Sequence, residues 1–295
     1  MTIITIMESN IKILGICGRE GAGKNTVANI LQFNSPQNTN PTWELREVDN
    51  PLVYIAHVLF GFPMRVDTTI KEPIWGLDQD RAFNLIVRLL VNYVDKQWFT
   101  KHPTGCVYKL PFPISTSESK WCEFSMADSL KRICTLIFDI PYEILLAQTP
   151  ETRKLRETTY SPNLSVCGAV TGRYCLEYFG TDVMRNNFDS DIWIKILKRE
   201  ARSAINNGKY VVIPDIRFPN EGNLIDELGG TLLTIYRQPT DLDLTEEDQK
   251  THPAKWKFLT FNQTVKNRAI IHNRGTIEEL KSAVIKLCTL DELIL

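Results

Sequence analysis

The chain has 295 residues, a formal net charge of -1 at pH 7, and 43% hydrophobic and 23% charged residues. That length suits one large domain or two ordinary ones, and the balanced charge excludes a general basic field for nucleic acid polymers or anionic membranes. No run approaches the roughly 18 consecutive apolar residues of a membrane span, and the opening "MTIITIMESNIKILGIC", broken by Glu8, Ser9 and Asn10 and lacking a basic start, does not read as a signal peptide.

In chain order, "IKILGIC" is a short apolar run ending in a glycine turn, which predicts a buried strand. "KNTVANILQF" then sets Val27, Ile30 and Leu31 at helical spacing. Residues 35–120 are rich in Pro and Asn ("NSPQNTNP", "KHPTGC", "LPFPISTSES") around one predicted helix, "RAFNLIVRLLVNYVDKQWF". They read as an insertion or acceptor-side subdomain, so the expected core is 1–34 with 121–295. From Trp121 the pattern is regular. "WCEFSM" predicts a strand, and "ADSLKRICTLIF" a helix with Asp128 or Ser129 near its start. "PYEILLA" predicts a short helix, and "GRYCLEYFGTDVMRNNF" with "DSDIWIKILKREARSAINN" a long helical region. "KYVVIPD" and "TLLTIYR" read as strands flanking a helix, "FPNEGNLIDELGG", and "AIIHN" and "TIEELKSAVIKL" as a closing strand and helix. Alternating strands and helices predict an α/β fold, a parallel sheet with helices on both faces.

Gly18-x4-Gly23-Lys24 lies between the first strand and the first helix, the order that a phosphate-binding loop requires. In that reading the backbone N–H groups from Gly21 to Thr26 face phosphates at a helix N-terminus, with Glu20 and Ala22 completing the loop. Lys24 supplies charge between the β- and γ-phosphates. The Ser or Thr expected next, as a Mg²⁺ ligand, is replaced by Asn25, with Thr26 one place later. Asp215 ends the "VVIPD" strand, where such sheets bind ligands. It reads as a carboxylate for Mg²⁺-bound water or a substrate hydroxyl, or as a turn aspartate capping the next helix. Arg217 falls on the same side of the strand end.

Seven cysteines, at 17, 106, 122, 134, 167, 175 and 288, form no CxxC pair and read as reduced thiols of a cytoplasmic protein. The four histidines lie too far apart in sequence to suggest zinc.

The segments "GREGAGKNTVA", "MADSLKRI", "TPETRKLRE", "GRYCLEYFGTDVMRNNFDSDIWI", "VVIPDIRFPNE", "GGTLLTIYR", "THPAK" and "IIHNRGTIEEL" carry, in this order, a resemblance to the deoxynucleoside monophosphate kinases of phage and viral type. These are P-loop kinases. The specific pieces are GT-x3-R with the following DxW, and DxRFPNE. The resemblance implies a P-loop kinase fold with a lid at about 238–262, ATP and Mg²⁺, and small nucleotide substrates, with a homodimer as one expected assembly. It implies that Asn25 stands where the family commonly has Asp, so that Asn25, Thr26 and Asp215 would serve the metal. It implies Lys131 as a contact for the acceptor phosphate, and Arg153 and Arg156 as further acceptor contacts. Arg173, Gly180, Thr181, Arg185 and Trp193 come from its strongest block, with Trp193 half core residue and half pocket wall. It puts Asp215, Arg217 and Glu221 at the nucleotide site and makes Arg237 the lid arginine that meets charge on the transferring group. "HPAK" replaces the family's His-x-Ser-Glu, which leaves Lys255 where a carboxylate is usual and His252 as a lid contact. Two rival readings remain open: a P-loop kinase for another phosphorylated acceptor such as phosphomevalonate, and a nucleotide-binding interaction protein without catalysis.

Overall fold

The structure is a computed structural model, and it describes residues 11–33, 43–61, 79–93, 97–113, 119–160, 170–250, 256–261 and 265–289. Strand β1 (Ile13–Cys17) and helix α1 (Lys24–Phe33) open the chain, followed by β2 (Trp43–Val48), α2 (Pro51–Phe60), α3 (Gln79–Tyr93), α4 (Trp98–Lys101) and β3 (Tyr108–Pro113). Next come β4 (Trp121–Glu123), α5 (Asp128–Phe138), α6 (Tyr142–Leu146), α7 (Pro150–Glu157) and the short strands β5 (Thr159–Tyr160) and β6 (Val170–Thr171). Helix α8 (Gly172–Glu177) runs into a π-helical stretch, Tyr178–Arg185, and α9 (Ile192–Asn206) follows. The chain then forms β7 (Tyr210–Ile213), α10 (Pro219–Glu227), β8 (Thr231–Tyr236) and a 3-10 turn (Pro239–Leu242). It closes with α11 (Glu246–Lys250), α12 (Lys257–Phe261), β9 (Arg268–His272) and α13 (Ile277–Thr289).

The chain divides into two compact units. The first comprises 1–41, 115–125 and 200–295. Its sheet has the order β4-β7-β1-β8-β9, and every pairing is parallel. Numbered within this unit alone, that order is 2-3-1-4-5, so the strand order reverses at β1. All five residues of β1 are buried, as are three of four in β7 and four of six in β8. A parallel strand covered on both faces reads as an unbroken apolar run, and these three strands were therefore legible in the sequence. Ile16, Val27, Ile30, Leu233, Ile271 and Val284 pack α1 and α13 onto the sheet in one core.

The second unit comprises 42–114 and 126–199. Here β2 and β3 pair antiparallel, from Trp43 opposite Pro113 to Val48 opposite Tyr108. Helix α2 has clear end signals: Asn50 accepts from the amides of Leu52 (3.0 Å) and Val53 (3.3 Å), Pro51 is its first residue, and Gly61 ends it at φ 79°. Arg199 donates to its last carbonyls, those of Val58 (2.9 Å) and Leu59 (3.3 Å), where a cation also meets the negative end of the helix dipole. Tyr54, Ile55 and Phe60 share a single core with Ile133, Phe138, Phe179, Val183 and Trp193. Residues 43–61, 79–93 and 97–113 thus join the described residues of 126–199 in one packed body.

Two local expectations differ from the structure, and a third is met. The helix expected over 81–99 is described from Gln79 to Tyr93, residues 94–96 lie outside the described residues, and Trp98–Lys101 forms a turn of helix that starts anew after Gln97. The strand expected at "WCEFSM" covers only Trp121–Glu123. Helix α5 starts at Asp128, with Ser129 next, as expected, but it has no side-chain cap, and the Ser129 hydroxyl accepts from Arg132 at 2.9 Å.

Candidate active site

Five loops leave the C-terminal edge of the five-stranded parallel sheet, and those after β1, β7, β8 and β9 stay within this unit. Ligands of open parallel sheets bind outside this edge, where the strand order reverses, and here that place is the loop after β1. Its glycines take backbone conformations that other residues rarely adopt: Gly18 has φ 147°, Gly21 76° and Gly23 108°. A Cβ on Gly18 would stand 2.3 Å from the carbonyl oxygen of Ile235, so β8 itself fixes this residue as glycine. The first α1 hydrogen bond runs from the Val27 amide to the Gly23 carbonyl at 3.1 Å. The amides of Lys24, Asn25 and Thr26 therefore have no acceptor within the helix and are available to an anion.

Lys24 Nζ donates to the carbonyls of Gly18 and Arg19, both at 2.8 Å. Burial lowers its pKa, and the Asp215 carboxylate acts in the opposite direction. The ammonium is therefore held in a partly dehydrated loop where an arriving phosphate is a stronger partner than two carbonyls. Cys17, directly before the loop, is not a competing nucleophile: burial pushes its thiol up to about 11, and the sulfur pairs with the Thr234 hydroxyl at 3.3 Å.

After β7, Arg217 Nε meets Asp215 Oδ1 at 2.6 Å, which fulfils the expectation that the two share one side of the strand end. Glu221 is buried, and its Oε2 accepts from the amides of Arg217 (2.7 Å) and Phe218 (3.1 Å). Its carboxylate thus caps α10 and shapes the 215–218 turn. After β8, the Arg237 amide is held by Asp241 Oδ2 at 2.9 Å, and its carbonyl by His272 Nε2 (3.1 Å) and Arg274 Nε (2.6 Å). The Arg237 guanidinium is exposed and has no hydrogen-bond partner among the described residues. Asn25 and Thr26, the first exposed and the second half-buried, likewise have no side-chain partner among the described residues. With Asp215 they offer an amide, a hydroxyl and a carboxylate oxygen. Mg²⁺ accepts such a set when substrate phosphates and water supply the remaining ligands. No group of three or more His, Cys, Asp or Glu among the described residues forms an all-protein metal site.

The other expected residues lie in the second unit. Helix α7 begins with a reciprocal cap, Thr149 with Thr152, and Pro150 at its first position. Near its end, Glu157 pairs with Arg156 (3.1 Å) and Arg173 (2.8 Å), so one carboxylate brings two of the expected acceptor arginines together. Arg173 also reaches Glu177 at 3.6 Å. Arg153 is exposed and unpaired among the described residues. Lys131 is half-buried, 3.7 Å from Asp128. Gly180, Thr181 and Arg185 sit in the π-helical stretch, a distortion that recurs at functional sites. A Cβ on Gly180 would come within 2.7 Å of Leu130 Cδ2. Trp193 is only 3% exposed, and its indole N–H donates to the Gly180 carbonyl at 3.0 Å. It is a core residue that locks the π turn, and it offers almost no surface to a ligand. His252, the expected lid contact, and Lys255, where a carboxylate is usual, lie outside the described residues.

Two residues at the loop edge escaped the sequence reading. Asn273, after β9, donates from Nδ2 to the Ala22 carbonyl at 2.8 Å, bracing the glycine loop from behind. Arg19, inside the glycine loop, donates to Asp248 at 2.6 Å and 2.9 Å. The available signals were a polar residue directly after a closing strand and a second cation beside Lys24.

The sequence model of the family described as "Deoxynucleotide monophosphate kinase" matches residues 149–284. The chain is similar to "Putative deoxynucleotide monophosphate kinase" of Acanthamoeba polyphaga mimivirus, 32% identical over 173 residues that cover 55% of this chain and 80% of that one. It is also similar to "Deoxynucleotide monophosphate kinase" of Enterobacteria phage T4, 26% identical over 113 residues, 38% of this chain and 43% of that one. A parallel sheet ordered 2-3-1-4-5, a glycine loop closed by lysine at the strand-order switch, and these relatives lead to one assignment: the chain belongs to the deoxynucleotide monophosphate kinase family.

Proposed function

We propose that the chain transfers the γ-phosphoryl group of ATP, bound with Mg²⁺, to the phosphate of a deoxynucleoside monophosphate, yielding ADP and the deoxynucleoside diphosphate. The observation that carries this reading is that one unit sets the Lys24 ammonium, beyond the loop after β1, within electrostatic reach of the Asp215–Arg217 pair after the adjacent strand β7. In the reaction an acceptor phosphate oxygen forms a bond to the γ-phosphorus while the bond from that phosphorus to the β,γ-bridging oxygen breaks. A phosphate monoester has its second pKa near about 6, so the acceptor is mostly dianionic at neutral pH and needs no strong base. Catalysis is then positioning and charge neutralisation.

In this reading the amides of Gly21 to Thr26, with Gly18, Glu20 and Ala22 shaping the loop, cradle the nucleotide phosphates. Lys24 meets the β- and γ-oxygens. Asn25, Thr26 and Asp215 are the oxygen donors available to Mg²⁺, which when bound would neutralise charge on the transferring group. Arg217, held by Asp215, and Arg237, whose guanidinium has no partner among the described residues, add positive charge at the reacting phosphates, with Glu221 as the brace of the 215–218 turn. Lys131, Arg153, Arg156, Arg173, Thr181 and Arg185 form the acceptor group, with Gly180 and Trp193 holding the backbone that carries Thr181 and Arg185. The proposal extends to 35–120 as the acceptor-side segment, supported by its sharing a core with Ile133, Cys175, Phe179 and Val183, which lie on the elements that carry Lys131, Arg173, Thr181 and Arg185. It extends also to the cytoplasm as the place of action, to segment 238–262 as a lid, and to a homodimer as one assembly. Among the described residues no helix is long and apolar enough to cross a membrane. A coupled ADP-release assay across the four deoxynucleoside monophosphates, their ribose forms and phosphomevalonate tests the acceptor. Turnover with phosphomevalonate alone would overturn it.

A further inference from the structure

Arg19 occupies one of the four variable positions between Gly18 and Gly23, beside the phosphate cradle. A second cation there would ordinarily be read as a further phosphate ligand. Its hydrogen bonds argue otherwise. Nε donates to the Asp241 carbonyl at 3.0 Å, and Nη2 to the Asp243 carbonyl at 2.9 Å. Nη1 and Nη2 together grip the Asp248 carboxylate at 2.6 Å and 2.9 Å. A guanidinium has five N–H donors, and four of them are spent on residues 241–248. Two go to backbone carbonyls, so the contact depends on the shape of that segment as well as on its charge.

The gripped segment is itself stiffened and tied to Arg237. Asp241 Oδ2 accepts from the amides of Arg237 and Gln238 at 2.9 Å and 2.8 Å. Asp248 Oδ2 accepts from the Thr245 amide (3.0 Å) and hydroxyl (2.8 Å), and Thr245 Oγ1 accepts in return from the Asp248 amide at 3.1 Å. At the other end the Arg19 carbonyl accepts from both Lys24 Nζ (2.8 Å) and the Ala22 amide (3.2 Å). One residue therefore joins the lysine of the glycine loop to the segment that begins with Arg237.

We infer that Arg19 is a positioning residue that pins residues 237–248 to the glycine loop and so sets where the Arg237 guanidinium stands. The inference rests on the kinase reading for its effect on turnover, and on geometry alone for the pin. Loop and segment move together while the grip holds, and Arg237 reaches the reacting phosphates only from the pinned position. Arg is required because a lysine ammonium cannot span two carbonyls and both carboxylate oxygens at once.

The test uses the full chain and the variants Arg19→Gln, Arg19→Lys, Asp248→Asn and the double Arg19→Gln/Asp248→Asn. Amide hydrogen exchange over 238–250, without nucleotide, reads the pin independently of activity. Exchange should quicken by about ten-fold in every variant, Arg19→Lys included. The turnover number should fall on the order of ten- to a hundred-fold, with the acceptor KM within about threefold of the parent. The double variant should lose no more than the worse single one, since both substitutions break the same contact. Parental exchange in Arg19→Gln and Asp248→Asn, losses that multiply in the double variant, or parental behaviour of Arg19→Lys would each overturn the inference. If the parent chain itself forms no ADP, the kinase reading fails, and the exchange rates alone decide the pin.

Discussion

Replacing Lys24 by Met separates the cost of holding a cation in the glycine loop from its use. The side chain loses its bonds to the carbonyls of Gly18 and Arg19, each 2.8 Å long. Charge-assisted bonds of this kind contribute about 1.5–3 kcal/mol apiece when both partners are otherwise satisfied. Burial nonetheless lowers the Lys24 pKa despite these bonds and despite Asp215. The folded chain therefore binds this proton less tightly than the unfolded chain, whose lysines titrate near about 10.4. The parent should gain stability as pH rises through the window between the folded and unfolded values, and the Met variant should lack that gain. At neutral pH the lost bonds and the relieved dehydration oppose each other, so net stability should change by less than about 2 kcal/mol. Transfer should respond far more strongly. One preorganised donor is worth roughly a hundred- to a thousand-fold in turnover, and a full cation on the transferring group belongs at or above the top of that range. Denaturant midpoints and ADP formation, measured on the same preparations, check both halves. Near-parental turnover in folded Lys24→Met would show that the ammonium does not serve the phosphoryl group. A loss well beyond 2 kcal/mol would make it a structural strut.

Gly18→Ala should destabilise the first unit by at least about 3 kcal/mol, because its φ of 147° and a 2.3 Å approach to the Ile235 carbonyl leave no room for a methyl group; a parental denaturant midpoint would contradict this loop geometry. Asn25→Asp should lower the Mg²⁺ concentration for half-maximal activity, since a charge joins a site now offering a neutral amide. Coincident Mg²⁺ titrations would remove Asn25 from the metal's ligands. Arg173→Ala breaks only exposed ion pairs with Glu157 and Glu177, so stability should change by under about 1 kcal/mol while the acceptor KM rises. An unchanged acceptor KM would mark Arg173 as a surface partner of Glu157 and nothing more.

The elements that were legible in the sequence are those whose environment is uniform. Strands β1, β7 and β8 are covered on both faces and appear as apolar runs, and α1 and α13 bury one regular stripe against them. The second unit hid its structure for physical reasons. Strand β2, "WELREV", has four exposed residues in a row and, among the described residues, no partner but β3, whose "YKLPFP" carries two prolines that usually argue against a strand. Helix α2 buries eight of its ten residues, so no amphipathic period marks it. Its Asn50-Pro51 start and Gly61 stop were readable and went unused. The π turn at 178–185 has no local signature beyond Gly180, because it is held from outside by the Trp193 indole. At the site, Asp215 and Arg217 follow from strand alternation. The role of Glu221 as a helix cap and the grip of Arg19 on Asp248 depend on contacts that sequence spacing does not express.

The most direct measurement follows the transferred atom. ATP labelled at the γ-phosphorus is incubated with the chain, Mg²⁺ and each deoxynucleoside monophosphate, and the products are separated. The account predicts that the label appears as the β-phosphorus of a deoxynucleoside diphosphate, one for each ADP formed, and that Lys24→Met abolishes this transfer. Label released only as inorganic phosphate, or found in no nucleotide product with any of the four acceptors, would contradict it.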